Sequence, residues 1–234
     1  GSRFQPWWLK TIVSMFIEYY QYLQYFALIA SIFFFKGLRQ FNIEGFVLLL
    51  LIVCITETTA NYLSNVLNRE DNFRIYNFYL LVSTPVSLFL YYKMLHLKGR
   101  GEKIYFYISF LCLLLIAFNL FFVQGPDTFN SYSIVIIMLI NIAFNCLIIL
   151  NLVNTEDPGI RLLKHPYFWI NASSLLFSLS TLVVLGLREY ILSNHISIGD
   201  KSIYRYIVPA SNVILYSAHA YAFYLCQKSN QITK

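Results

Sequence analysis

Seven long apolar stretches follow one another along this chain, separated by short polar or charged segments. A helix needs about 20 mainly apolar residues to cross the hydrocarbon core of a bilayer, and each stretch is about that long. Backbone polar groups in lipid must be satisfied within the segment, so the stretches are predicted to be helical. The predicted spans are Met15–Phe35, Ile43–Asn65, Arg74–Leu95, Ile104–Val123, Phe129–Val153, Pro166–Leu187 and Ile203–Gln227.

Composition supports a membrane environment. Hydrophobic residues make up 58% of the chain and charged residues only 12%, about half the charged fraction of a soluble domain. The connecting segments are short, so residues 1–234 are predicted to form one all-α membrane domain, a seven-transmembrane helix bundle. The net charge of +6 is spread over the loops and does not indicate nucleic-acid binding. The four cysteines have no zinc-ligand spacing, and no metal or cofactor is expected.

The lysines and arginines predict the orientation of the bundle. They number ten on the side that holds the C-terminus and seven on the side that holds the N-terminus. Since cytoplasmic loops carry the excess of these residues, the N-terminus is predicted to lie outside and the C-terminus in the cytoplasm.

Glu57 is the clearest ionisable residue inside a span. Asn61 follows it by four residues and Asn65 by eight, so the three share one face of the second helix. Ionisable groups in lipid are costly and indicate either a partner or a function. Two interpretations stay open: an interhelical hydrogen-bond clasp, or a group that lines a binding cavity.

Several spans contribute polar residues at the depth of Glu57, in the outer half of the bundle. Glu18 belongs to this set, although an exposed position in an interfacial aromatic belt accounts for it equally well. Polar groups from several helices at one depth are what a cavity open to the outside needs. The set is Glu18, Gln21, Glu57, Asn61, Tyr76, Asn77, Ser180, Thr181 and Asn212.

A second polar layer is predicted nearer the cytoplasm, where amide side chains commonly hold helices together. A structural or coupling role is expected for its members Asn145, Trp169, Asn171 and His219. Two prolines inside spans, Pro85 and Pro209, are expected to kink their helices and to free backbone carbonyls.

The residues argue against two functional classes. A membrane enzyme needs a reactive constellation, and the chain has no paired acidic motif, no HExxH and no GxSxG. A covalent retinal pigment needs a lysine in the middle of the last span, and Ile203–Gln227 has none. A receptor or sensor, a small-solute transporter and a structural subunit of a membrane complex remain.

Three short motifs carry a family resemblance. The chain resembles small seven-helix proteins of Bacteroidota, which are similar in layout to the membrane sensor regions of histidine kinases. The motifs are Ile55-Thr56-Glu57, the segment from Asn72 to Tyr79, and the segment from His165 to Asn171.

The resemblance implies a sensor in the bacterial inner membrane that works beside a cytoplasmic partner such as a histidine kinase. The positions that match the pattern are Glu57, Tyr76, Asn77, Trp169 and Asn171. We therefore expect a small or lipid-like ligand in an outer-half cavity around Glu57. Its predicted contacts are Glu57, Asn61, Tyr76, Asn77, Glu18 and Asn212.

Overall fold

The chain forms long helices joined by short connections. The computed structural model describes residues 7–66, 72–155, 162–187, 197–198, 201–202 and 204–232. The α-helices in these ranges are α1 (Trp7–Phe33), α2 (Phe35–Gln40), α3 (Gly45–Asn65), α4 (Phe73–Leu95), α5 (Arg100–Phe118), α6 (Ser131–Thr155), α7 (Pro166–Gly186) and α8 (Tyr204–Ile232). A π-helical turn, Asn119–Val123, continues α5, and a 3-10 turn, Leu162–Lys164, precedes α7. The two-residue strands β1 (Ser197–Ile198) and β2 (Lys201–Ser202) pair antiparallel before α8.

Five helical segments among the described residues are long and apolar enough to cross a bilayer. They correspond to the second to sixth predicted spans and identify a multi-pass membrane protein. Large apolar side chains on the outside of the bundle fit lipid contact: Phe33 is 80% exposed and Phe122 is 77% exposed. The five segments are Gly45–Ser64, Phe73–Leu95, Arg100–Val123, Ser131–Asn154 and Pro166–Gly186.

The first and last predicted spans also fall on helices, with different limits. The first was predicted to end at Phe35, but α1 ends at Phe33 and α2 continues after a single turn residue to Gln40. The last helix, α8, runs to Ile232, five residues beyond the predicted end at Gln227. Pro166 was predicted in the first turn of a helix, and it occupies that place in α7.

The seven long helices pack in a closed ring. Helix α1 contacts α3 and α8, α8 contacts α7, and α7 contacts α6, while α4 contacts both α3 and α6. Helix α5 lies against α4 and α6 and completes the ring. The short α2 packs on α8, where Gly37 lies directly against the backbone of Cys226 and Gln227.

Eight of the described lysine and arginine side chains lie at one end of this ring, which we call the basic end. The end of α1, α2, the α4–α5 connection, the start of α7 and the end of α8 meet there. Tyr167 ties these elements together, because its hydroxyl donates to the carbonyl of Phe41 and its ring stacks near His96. The cations at the basic end are Lys36, Arg39, Lys93, Lys98, Arg100, Lys103, Lys164 and Lys228.

The opposite end is held by contacts between α3, α4 and the α5–α6 connection. Asn72 Nδ2 donates to the carbonyl of Ala60 at 3.2 Å. The exposed Arg74 guanidinium pairs with Asp127. Nearby, Asn119 donates to Gln124, Asn130 and Ser133, so the π-helical turn sits in a closed polar network between α5 and α6.

The Arg74–Asp127 pair predicts a small pH dependence of stability. The hydrogen bond from Arg74 lowers the pKa of Asp127 below its ordinary value. A carboxyl with a depressed folded-state pKa stabilises the fold above its unfolded pKa, and this contribution is lost as the pH falls from about 5. Both side chains are exposed, so the effect is expected to be slight. Thermal unfolding at pH 7 and pH 3 should show a slightly smaller pH-dependent loss for Asp127→Asn than for the unchanged chain; an equal loss would contradict the assignment.

Candidate functional site

A cavity of about 170 Å³ lies inside the helix ring. Its walls come from α3, α4, α6, α7 and α8, and Cys112 adds a contact from α5. On α3 the lining runs from Phe46 to Val53, in the half of the helix nearer the basic end. The cavity therefore extends from the middle of the bundle towards the basic end.

The lining is mainly apolar, with hydroxyl groups distributed among the helices and no charged side chain among the described residues. The apolar walls include Leu50, Leu88, Ile137, Met138 and Phe177. The hydrogen-bonding groups are Tyr79, Ser83, Thr84, Ser87, Tyr91, Asn141, Ser174, Ser178, Tyr216 and His219. Such a lining suits an uncharged, largely apolar group that makes a few hydrogen bonds.

The hydroxyls of α4 are mostly engaged with their own helix. Thr84 donates to the carbonyl of Leu80 at 2.6 Å, and Ser87 donates to the carbonyl of Ser83 at 3.0 Å. Both bonds lie beside Pro85, which has no N–H to offer to the carbonyl of Leu81. The hydroxyls of Thr84 and Ser87, on either side of Pro85, are thus bonded within α4.

Glu57 forms a second polar cluster, one helical turn from the cavity. The hydroxyl of Tyr20 lies 3.4 Å from Glu57 Oε2, and the hydroxyl of Tyr76 lies 3.5 Å from the same oxygen. Normal O–H···O hydrogen bonds are about 2.5–3.0 Å, so both contacts are loose. Among the described side chains no lysine or arginine pairs with Glu57.

The cluster adjoins the cavity through two pairs of residues. Val53 lines the cavity and Glu57 follows it by four residues, on the same face of α3. Tyr79 lines the cavity and Tyr76 precedes it by three residues on α4. The hydroxyls of Tyr79 and Tyr216 lie close enough to interact electrostatically with the carboxylate, so these two tyrosines border the cluster.

The structure brings some of the predicted outer residues together and separates others. Glu57 and Tyr76 are in contact. Asn61 and Asn212 are half-buried, each one turn from a member of the cluster on its own helix. Asn77 is buried and points elsewhere: its Nδ2 donates to the carbonyls of Pro126 at 2.8 Å and Thr128 at 2.9 Å. The backbone of Glu18 lies in α1, but its side chain is outside the described residues.

The residues predicted for the second polar layer make contacts between helices and turns. Asn145 on α6 donates to the hydroxyl of Tyr91 on α4 at 3.2 Å. Trp169 donates to the carbonyl of Leu163 at 2.8 Å, and Asn171 donates to the carbonyl of Tyr167 at 2.7 Å. His219 Nε2 lies 3.4 Å from Ser174 Oγ and links α8 to α7.

Sequence reasoning missed the cavity-facing hydroxyls and two tyrosines of the cluster. Tyr20 pairs with Glu57, and Tyr216 is buried between the cluster and the cavity. A signal for Tyr216 was present in the sequence, because it lies four residues after Asn212 and three before His219, both of which were singled out. No sequence rule specifies that Ser83 and Ser87 line a space between helices.

Two further findings concern metal binding and similarity to known proteins. The described residues contain no group of three or more histidine, cysteine, aspartate or glutamate side chains able to hold a metal ion. Comparison of the chain with protein-family models, with curated proteins and with solved structures finds no match.

Proposed function

We propose that this protein is a receptor-like membrane sensor that binds a small, largely apolar ligand in the cavity between its helices and signals through a cytoplasmic partner. The observation that carries the proposal is the cavity itself. Five helices contribute walls, so a molecule bound there contacts most of the ring at once. A cavity of about 150 Å³ with apolar walls accommodates benzene, so one of 170 Å³ suits a molecule built on a single ring or a short acyl chain.

The proposal includes seven membrane spans with the N-terminus outside. Helices α1 and α8 have 27 and 29 residues, which corresponds to about 40 Å of helix and is enough to cross a bilayer. Their contacts with α3, α7 and each other support a place within the same membrane layer.

The charges favour the proposed orientation. Over the whole sequence, ten lysines and arginines belong to the side of the C-terminus and seven to the side of the N-terminus. Under the positive-inside rule the basic end is cytoplasmic, in keeping with a bacterial inner-membrane protein. Its exposed cations also offer a surface for an acidic partner, such as a histidine kinase.

A small-solute transporter is the second candidate, favoured by the carboxylate of Glu57, which no described cation pairs with and which lies next to a central cavity. Transport requires the cavity to open to both sides in turn, whereas sensing requires only that the ligand shifts the balance between two packings of the ring. Pro85 in α4 and Pro209 in α8 give either mechanism a helix that can bend.

Filling the cavity tests the binding site. Ser87 lines the cavity and bonds only to its own helix, so Ser87→Leu fills space without breaking a contact between helices. We expect calorimetric titration with 2-phenylethanol to show binding to the unchanged protein and none to Ser87→Leu. Thr59→Leu is the matched control, because Thr59 bonds to its own helix in the same way but is exposed. Equal binding by all three proteins would contradict the cavity as the site.

Flux measurements separate the sensor from the transporter. Proteoliposomes that contain the protein should exchange 2-phenylethylamine no faster than empty liposomes if the protein is a sensor. Spin labels at Lys98→Cys and Lys228→Cys, both exposed at the basic end, should change their separation when the ligand binds. Flux that depends on Glu57 would favour transport.

A further inference from the structure

Among the described residues, the carboxylate of Glu57 has no partner that would balance its charge. It lies in the span Gly45–Ser64, and none of the described cations reaches it. Both of its described hydrogen bonds go to Oε2 at 3.4 and 3.5 Å, and no described donor bonds to Oε1. An ionisable group inside a span is energetically unfavourable unless it is paired, so the site favours a ligand that supplies a positive charge.

Tyrosine side chains from two helices, α1 and α4, lie beside Glu57. The carboxylate contacts the hydroxyls of Tyr20 and Tyr76 and interacts with those of Tyr79 and Tyr216. Aromatic rings attract ammonium groups through their faces, and cages of several rings recognise amines and quaternary ammonium ions.

A buried amide adds a second group without a full set of partners. Gln24 on α1 is 2% exposed, and its Oε1 has no hydrogen-bond partner among the described residues. The Gln24 side chain lies near Tyr216, which places it at the edge of the same cluster. An unsatisfied acceptor oxygen in this position suits the N–H groups of an ammonium ion.

The cavity begins one helical turn away and has the opposite character. Its described lining holds no charged group and is mainly apolar, and Tyr79 and Tyr216 belong to both regions. One turn of helix is about 5.4 Å, roughly the distance from the nitrogen to the ring in a molecule with a short carbon spacer. The two regions together therefore match a molecule with a charged amine at one end and a ring-sized apolar body at the other.

We infer that the ligand is a small organic amine, whose ammonium group pairs with Glu57 inside the tyrosine cage and whose apolar part occupies the cavity. The inference rests on the proposed cavity site and adds the charge and shape of the ligand. Glu57, Tyr20 and Tyr76 bind the cation, and the walls formed by α4, α6, α7 and α8 accept the apolar body.

A matched pair of probes tests the inference. 2-Phenylethylamine carries the charge at pH 7, and 2-phenylethanol has the same shape without it. Calorimetric titration of the detergent-purified protein should give at least about tenfold tighter binding of the amine, because hydrogen bonds to charged groups are worth about 1.5–3 kcal/mol. Glu57→Gln should abolish the preference and leave binding of the alcohol unchanged.

The outcomes distinguish the inference from the proposed function. If the alcohol binds as tightly as the amine, or if Glu57→Gln keeps the preference, the cavity stands and the amine inference is wrong. If the unchanged protein binds neither probe, the proposed site fails, and the inference with it. If Glu57→Gln does not fold, Tyr76→Leu and Tyr76→Phe are tested in its place. Tyr76→Leu should weaken amine binding about fivefold, and Tyr76→Phe should weaken it much less because phenylalanine keeps the ring. Equal effects of these two variants on amine binding would contradict a role for the aromatic ring of Tyr76.

Discussion

Replacement of Gly37 by valine is expected to destabilise the bundle by about 1–3 kcal/mol, because there is no room for a side chain at this position. A Cβ atom at Gly37 would lie 2.8 Å from the backbone nitrogen of Gln227 and 2.9 Å from the carbonyl carbon of Cys226. These are backbone atoms of α8 and cannot rotate away. Valine is a better helix former than glycine by only a few tenths of a kcal/mol, so the clash outweighs this gain and Gly37→Val is expected to destabilise the protein.

The control for Gly37 is another helical glycine with open space around it. No atom of the described residues lies within 4 Å of a Cβ placed on Gly186, and Gly186→Val should change the free energy of unfolding by less than about 0.5 kcal/mol. Chemical denaturation of the detergent-purified proteins measures both effects. If Gly37→Val unfolds like the unchanged protein, α2 is not packed against α8 as described.

Hydropathy predicted the helices well because lipid imposes one requirement on every span. A run of apolar residues long enough to cross the bilayer has to be helical, and its polar flanks mark the ends. This is why the second to sixth spans match helices closely. The break between α1 and α2 was not predictable in this way, since residues 34–41 mix aromatic and basic side chains. Their conformation depends on how closely Gly37 approaches α8.

The candidate site was predictable only in part. Glu57 stands out in any sequence because a carboxylate inside an apolar span needs an explanation, and its contact with Tyr76 follows from their shared depth. The angular position of each side chain depends on how the helices pack, which sequence periodicity does not specify for helices that are apolar on most faces. For this reason the sequence could not predict that the cavity lies below Glu57, towards the basic end.

The sequence predicts the depth of Asn77 in the membrane but not the direction of its side chain. Replacement of Asn77 by leucine is expected to lower the free energy of unfolding by about 1–3 kcal/mol. The residue was predicted to contact a ligand, but its side chain is 4% exposed and its Nδ2 donates to the carbonyls of Pro126 and Thr128. Leucine has nearly the same volume and removes both hydrogen bonds. The two carbonyls lose their donor, and the α5–α6 connection loses its attachment to α4.

Asn61→Leu provides the comparison, because Asn61 is half-buried and makes no hydrogen bond that the described residues show. We expect Asn61→Leu to change stability by less than about 0.5 kcal/mol. Asn77→Leu should leave the affinity for 2-phenylethylamine unchanged, since the amide neither lines the cavity nor contacts Glu57. If Asn77→Leu keeps its stability and loses its affinity for the amine, Asn77 belongs to the ligand site. This result would also mean that the α5–α6 connection is held by other contacts, such as the pair between Arg74 and Asp127.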